Sequence, residues 1–220
     1  MLKNKLIELR ESILHEASLV EKMIEISIQG LLENNKQKLD DAMEYEEIIN
    51  NLEMDIEEKC IMLIALYQPE AKDLRTIITI LKMNSDLERM GDMAVNIIGS
   101  SYFIIERPPL KKLIDLPNMA KETIKMLKNA LQSFTNEDVP LAREVCKFDD
   151  VIDAYKDQIT RELITYMIAD TQNIERAIQL TRITQNLERI ADLCTNIAED
   201  TVFMTQGKVI KHNIENQPIK

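Results

Sequence analysis

Residues 86–97 read DLERMGDMAVNI, and residues 186–197 read NLERIADLCTNI. The segments lie 100 residues apart without a gap, and six of their twelve positions are identical. The identical set is Leu87/Leu187, Glu88/Glu188, Arg89/Arg189, Asp92/Asp192, Asn96/Asn196 and Ile97/Ile197. Most of it is polar, whereas generic amphipathicity would repeat an apolar stripe alone. The repeat therefore predicts one structural unit used twice along the chain.

Working outward, each copy ends a run of three helices. Apolar residues at Leu6, Leu9, Ile13, Ala17, Val20, Ile24, Ile28 and Leu31 step by three or four, which predicts a first helix ending near Asn34-Asn35. A second helix is expected from Lys38 to Leu66, with Ile48, Leu52, Ile56, Ile61, Leu63 and Ile64 facing the core. Pro69 marks the next boundary and is compatible with a first helical turn. A third helix then spans Glu70 to Ile104. The segment Glu106-Arg107-Pro108-Pro109-Leu110-Lys111-Lys112 cannot continue a helix. Beyond it the pattern restarts, with helices over Leu116–Phe134, Pro140–Ile168 and from Ile174 to Thr205. Asn136-Glu137-Asp138 reads as a cap region, with Pro140 tolerated in the first turn that follows.

The expected fold is all-α: six long helices forming two tandem, pseudo-symmetric three-helix bundles. Residues 1–105 make the first repeat, 106–115 a Pro-rich linker, 116–206 the second repeat, and 207–220 a polar tail. Aromatics are only 4% of the chain and Trp is absent, so the core must come from Ile, Leu, Met, Val and Ala. Long packed helices suit that set better than a sandwich.

The net charge is −11, which argues against nucleic acid as a partner. No apolar run approaches the roughly 20 residues of a spanning helix. No signal peptide is evident at the N-terminus, and Cys60, Cys146 and Cys194 are odd in number and far apart. A cytoplasmic location follows as the expectation. No Gly-rich phosphate loop and no Glu-x-x-His motif occur, which disfavours a nucleotide-driven enzyme and a ferritin-like di-iron oxidase. No nucleophile–base arrangement stands out, so the chain is not expected to be an enzyme. His15 and His212 are isolated; His15, on the first helix, reads as structural or solvated, and His212, in the tail, is uninformative.

Glu88, Asp92 and Asn96 stand at i, i+4 and i+8, and so do Glu188, Asp192 and Asn196. Each trio lines one helix face. Glu46-x-x-x-Asn50 and Asp149-x-x-x-Asp153 on the preceding helices offer facing oxygens. If the faces meet, four to six oxygens converge and would favour a hard cation such as Mg²⁺, Mn²⁺, Ca²⁺ or iron. The competing reading is a solvated face paired with Arg89 and Arg189. Asn50 makes the first-half set poorer in carboxylates than the second, and Ser100 stands where the second half has Asp200.

The two Leu-Glu-Arg-x-x-Asp segments, the tandem plan and Gln68-Pro69-Glu70-Ala71-Lys72-Asp73-Leu74-Arg75 together resemble the PhoU family. That resemblance covers residues 5–206. It implies a negative regulator linking a phosphate ABC transporter ATPase to a phosphate-sensing histidine kinase. It also implies a homodimer, peripheral to the membrane only through its partners. Carried over by position, the implied metal ligands are Glu46, Glu88, Asp92 and Asn96, then Asp149, Asp153, Glu188, Asp192 and Asn196. The alternatives are a structural helical oligomer without metal function and a metal-dependent enzyme.

Overall fold

The computed structural model describes residues 2–210. Six helices account for nearly all of them: α1 Leu2–Leu32, α2 Lys36–Tyr67, α3 Ala71–Ile105, α4 Asp115–Asn136, α5 Val139–Ala169 and α6 Ile174–Gln206. A 3₁₀ turn, Thr171–Asn173, leads into α6. Helices α1–α3 pack as one three-helix bundle and α4–α6 as another, and α3 lies along α6 to join them. The predicted tandem architecture is the observed one. No helix among the described residues is long and apolar enough to cross a membrane. His212 and the tail beyond residue 210 fall outside the described residues.

All eight positions of the expected α1 stripe are buried. The α2 expectation fails in part. Ile56 and Leu63 are buried, but Ile48 is 47% and Ile61 57% exposed, and Leu52 and Ile64 are half-buried. The actual core face is Leu39, Ala42, Ile49, Ile56, Cys60 and Leu63. Ile48 and Ile61 are sequence neighbours of Ile49 and Cys60, and one residue turns a helix by about 100°. Apolarity on adjacent positions had blurred the face. Pro69 also lies outside α3, whose first residue is Ala71.

The turns show the symmetry at atomic level. Asn35 caps α2, its side chain accepting from the Lys38 N–H at 3.2 Å. Asp138 caps α5, accepting from the Leu141 N–H at 3.0 Å. The preceding residues, Asn34 (φ 50) and Glu137 (φ 54), are both left-handed. This conformation is unusual for Glu. The Glu137 carboxylate accepts from Lys72 Nζ at 2.5 Å and from an Arg10 guanidinium N–H at 3.0 Å. The Lys72 hydrogen bond, helped by Arg10, holds this carboxyl below its ordinary range. These two contacts also tie α1 and α3 to the α4 turn.

These equivalences run at an offset of 103 residues through α1–α2 and α4–α5, and of 100 through α3 and α6. At the α1–α2 contact the offset pairs Gly30 with Ser133 and Leu39 with Ala142. A Cβ on Gly30 would stand 2.6 Å from Leu39 Cδ2 and 2.9 Å from its Cγ. The first bundle thus sets glycine against leucine, and the second sets serine against alanine. Gly30→Ser is expected to destabilise by about 1–3 kcal/mol through overpacking. Adding Leu39→Ala should recover part of that loss, read as a positive coupling in a double-mutant cycle of urea unfolding. Strictly additive losses would refute the complementarity.

Candidate functional site

The second-half acids come together across α5 and α6. Asp149 is half-buried, and its carboxyl is pushed up to about 6, first by burial and then by Asp192, Asp153 and Glu188. Asp192 is exposed and is also raised, by desolvation and by Glu188 and Asp153, with Lys156 and Arg189 opposing. Lys156 sits among these acids. Its Nζ donates to Glu188 at 2.8 Å and to Asp153 at 3.3 Å. Asn196 lies at the edge, in a groove with Arg89, Arg189, Asp192 and Glu199.

The first half differs. Glu88 on α3 is raised by burial, then by Asp92 and Glu53, with Arg89 opposing. The α2 acid that acts on it is Glu53, seven residues beyond Glu46. Glu16 of α1 is fully buried, and neither carboxyl oxygen has a hydrogen-bond partner. Burial, then Glu53 and Glu88, push it up to about 8. Asn84, one helical turn before Glu88, donates to the Glu53 carbonyl at 2.9 Å, and its own side-chain oxygen is buried without a partner. Asn96 is exposed and lines the groove between α3 and α6, away from the carboxylates.

The repeat therefore places Glu16 where the second half has Met119, and Glu53 where it has Lys156. With Asn50 in place of an acid, the residue pattern predicts a first-half site poorer in carboxylates. In the structure Lys156 stands among the second-half acids, while Glu53 and the proton-holding Glu16 stand beside Glu88 in the first half. Arg89 pairs with Asp86 at 3.5 Å, and the two arginines act on the repeated acids at longer range, Arg89 on Glu88 and Arg189 on Asp192.

Glu16, Glu53, Asn84 and Lys156 were missed in the sequence. The signal for Glu16 was present: it sits three residues after Ile13 and next to Ala17, inside the α1 stripe. The signal for Lys156 required the 103-residue offset.

Among the described residues, no group of three or more His, Cys, Asp or Glu side chains gathers closely enough to hold a metal ion. Asp149, Asp153, Glu188 and Asp192 act on one another electrostatically, as do Glu88 and Asp92, yet as arranged the expected ligands form no ion-binding cage. The thiols offer no nucleophile either: burial raises Cys60 to about 12 and Cys146 to about 11, and Cys194 is raised as well. His15 is exposed on α1.

The chain matches the family model described as PhoU domain twice, over residues 13–100 and 116–201. It is 39% identical over 205 residues to the phosphate-specific transport system accessory protein PhoU homolog of Aquifex aeolicus, covering 93% of each chain. It is 34% identical over 211 residues to PhoU homolog 2 of Thermotoga maritima, covering 96% of this chain and 90% of that one. Its structure resembles the crystal structure of PhoU from Pseudomonas aeruginosa, with a TM-score of 0.91 at 31% identity, over 94% of this chain and 100% of that one.

Proposed function

This chain belongs to the PhoU family, and on that premise we propose that it is an accessory protein of a phosphate-specific transport system, acting by binding and not by catalysis. The observation that carries the reading is the match of both halves to the family model, together with relatives of that name over nearly the full length. In its finer form, the protein is a cytoplasmic negative regulator that couples the transporter ATPase to a phosphate-sensing histidine kinase, as a homodimer. Affinity capture from phosphate-replete cells should recover the ATPase or the kinase. Deleting the gene should turn phosphate-starvation genes on despite ample phosphate. A deletion strain in which those genes stay repressed would sink the regulatory reading.

A second part of the proposal concerns cations. Burial, and after it the acids of α5 and α6, push the Asp149 carboxyl up to about 6, so a cation that displaced its proton would relieve the repulsion among those acids. Lys156 already does so in part. Divalent binding is therefore expected to be weak, to release protons near pH 6, and to weaken as pH falls below it. Titrating Mg²⁺ or Mn²⁺ at pH 5.5 and pH 7.5 in two buffers of different ionisation enthalpy checks this. Equal affinity at both pH values would count against the acids as the binding face.

A further inference from the structure

The internal symmetry also exposes a difference that the repeated acids do not explain. Residues 81–90 and 181–190 share one pattern of burial, position for position, and α3 and α6 pack together. At one end of that contact, Lys82 Nζ donates to the nearly buried carboxylate of Asp200 at 3.0 Å. Lys82 also lies over the Phe203 ring at 5.5 Å, and Asp86 pairs with Arg89. The basic residues at this end are matched by carboxylates from the facing helix or their own.

Towards the other end, the equivalent bases are Arg182 and Arg189, the latter sharing a groove with Arg89, and the equivalents of Asp200, Glu199 and Asp86 are not acids. Ser100 replaces Asp200, Gly99 replaces Glu199, and Asn186 replaces Asp86. Arg182 and Arg189 line a groove of about 610 Å³ with Asn96, Ser100, Phe103 and Gln185. Both arginines are exposed. Arg182 makes one long contact, donating to Gln179 at 3.5 Å. Asn186 spends its amide N–H on the Arg182 carbonyl at 2.7 Å. A Cβ placed on Gly99 would meet nothing within 4 Å, so the groove has room where the other half carries a glutamate. A chain of net charge −11 thus keeps two arginines on one groove whose wall carries no acid, although Arg189 also borders the adjoining groove that Asp192 and Glu199 line.

We infer that this end of the α3–α6 groove, built by Arg182, Arg189 and Ser100, binds a small oxyanion of the phosphate type. The carboxylate of Asp200 beside Lys82 is the internal template for that ligand: the symmetric end supplies its anion from the chain, and this end takes it from solution. Guanidinium groups suit the task, since each can present two parallel N–H donors to a tetrahedral or planar oxyanion. The inference stands on the charge asymmetry and is independent of whether the chain docks a transporter.

Inorganic phosphate, and sulfate in parallel, should bind the full-length chain at one site by isothermal titration calorimetry at low ionic strength. Arg182→Gln and Arg189→Gln should each weaken binding about tenfold or more, the loss of a charge-assisted pair. Ser100→Asp should abolish it by giving Arg182 the carboxylate that Lys82 already has. Because that change adds an ion pair, the variant should unfold no earlier than the parent, which separates blocking from misfolding. Equal binding of phosphate and sulfate supports a general oxyanion site, and preference for phosphate supports a selective one. Binding that survives all three substitutions, or no saturable binding of either anion at millimolar concentration, overturns the inference.

Discussion

Replacing Glu16 with methionine should stabilise this protein by roughly 3 kcal/mol at pH 7. Glu16 is fully buried in the first bundle with both carboxyl oxygens unpaired. Its carboxyl is raised from 4.5 to about 8 by burial and by Glu53 and Glu88. A native group that holds its proton more tightly than the unfolded chain adds stability fully below the unfolded value. That stability falls as pH rises from 4.5 towards 8 and then levels off. The slope is about 1.4 kcal/mol per pH unit, so pH 7 lies roughly 3 kcal/mol down it. Methionine is what the second bundle carries at the equivalent position, Met119, which is itself buried. The exchange thus restores a packing solution that the fold already uses. The gain of Glu16→Met over the parent should shrink towards its packing component near pH 4.5 and grow to pH 8. Glu16→Gln should flatten the pH dependence equally but stabilise less, because its amide would remain buried and unpaired. Urea unfolding at pH 5, 7 and 8.5 reads all three proteins. A gain independent of pH, or a loss at pH 7, would show that Glu16 is satisfied in the folded protein by a partner outside the chain.

The sequence made the architecture legible because the helix signals were redundant. The α1 stripe had eight positions, all correct, and the linker held two adjacent prolines. The α2 face was misjudged where apolar residues stood side by side, as at Ile48 and Ile49. Periodicity cannot choose between neighbours when both are isoleucine; packing against α1 and α3 does. The site was legible only where the repeat kept its polar identities, in α3 and α6. Through α1–α2 and α4–α5 the copies have traded residues in compensating pairs, such as Gly30/Leu39 for Ser133/Ala142. Few identities survive to reveal the register, and with it the exchanges Glu16 for Met119 and Glu53 for Lys156. Those two exchanges set what surrounds the repeated acids in each bundle. A motif search for Glu-x-x-x-Asp reads the acids as equivalent in the two halves, whereas the structure makes one cluster proton-loaded and the other lysine-neutralised.

That distinction gives the second large effect: Lys156→Gln should raise the affinity of the α5–α6 face for Mn²⁺ by about ten- to a hundredfold. Lys156 touches Glu188 and Asp153 and is the cation opposing the raised proton affinity of Asp192 together with Arg189. A unit charge at about 4 Å is worth roughly 4 kcal/mol at an effective dielectric near 20, and solvent on this half-open face reduces that to roughly 1–3 kcal/mol. Removing it leaves Asp149, Asp153, Glu188 and Asp192 facing one another without the lysine between them. Their repulsion should lower stability in the absence of metal, and Mn²⁺ should restore it by mass action. Lys156→Arg keeps the charge and should leave affinity near that of the parent. Lys156→Glu copies the first bundle, where Glu53 occupies the equivalent position, and should exceed the glutamine variant. The readout is Mn²⁺ binding followed by electron paramagnetic resonance, with thermal unfolding plus and minus metal. If Lys156→Gln loses stability that Mn²⁺ does not return, the four carboxylates need the lysine as a structural counterion and do not converge on a metal. If affinity rises only in the glutamate variant, net charge alone draws the ion, and the positions of Asp149 and Glu188 do not define a site.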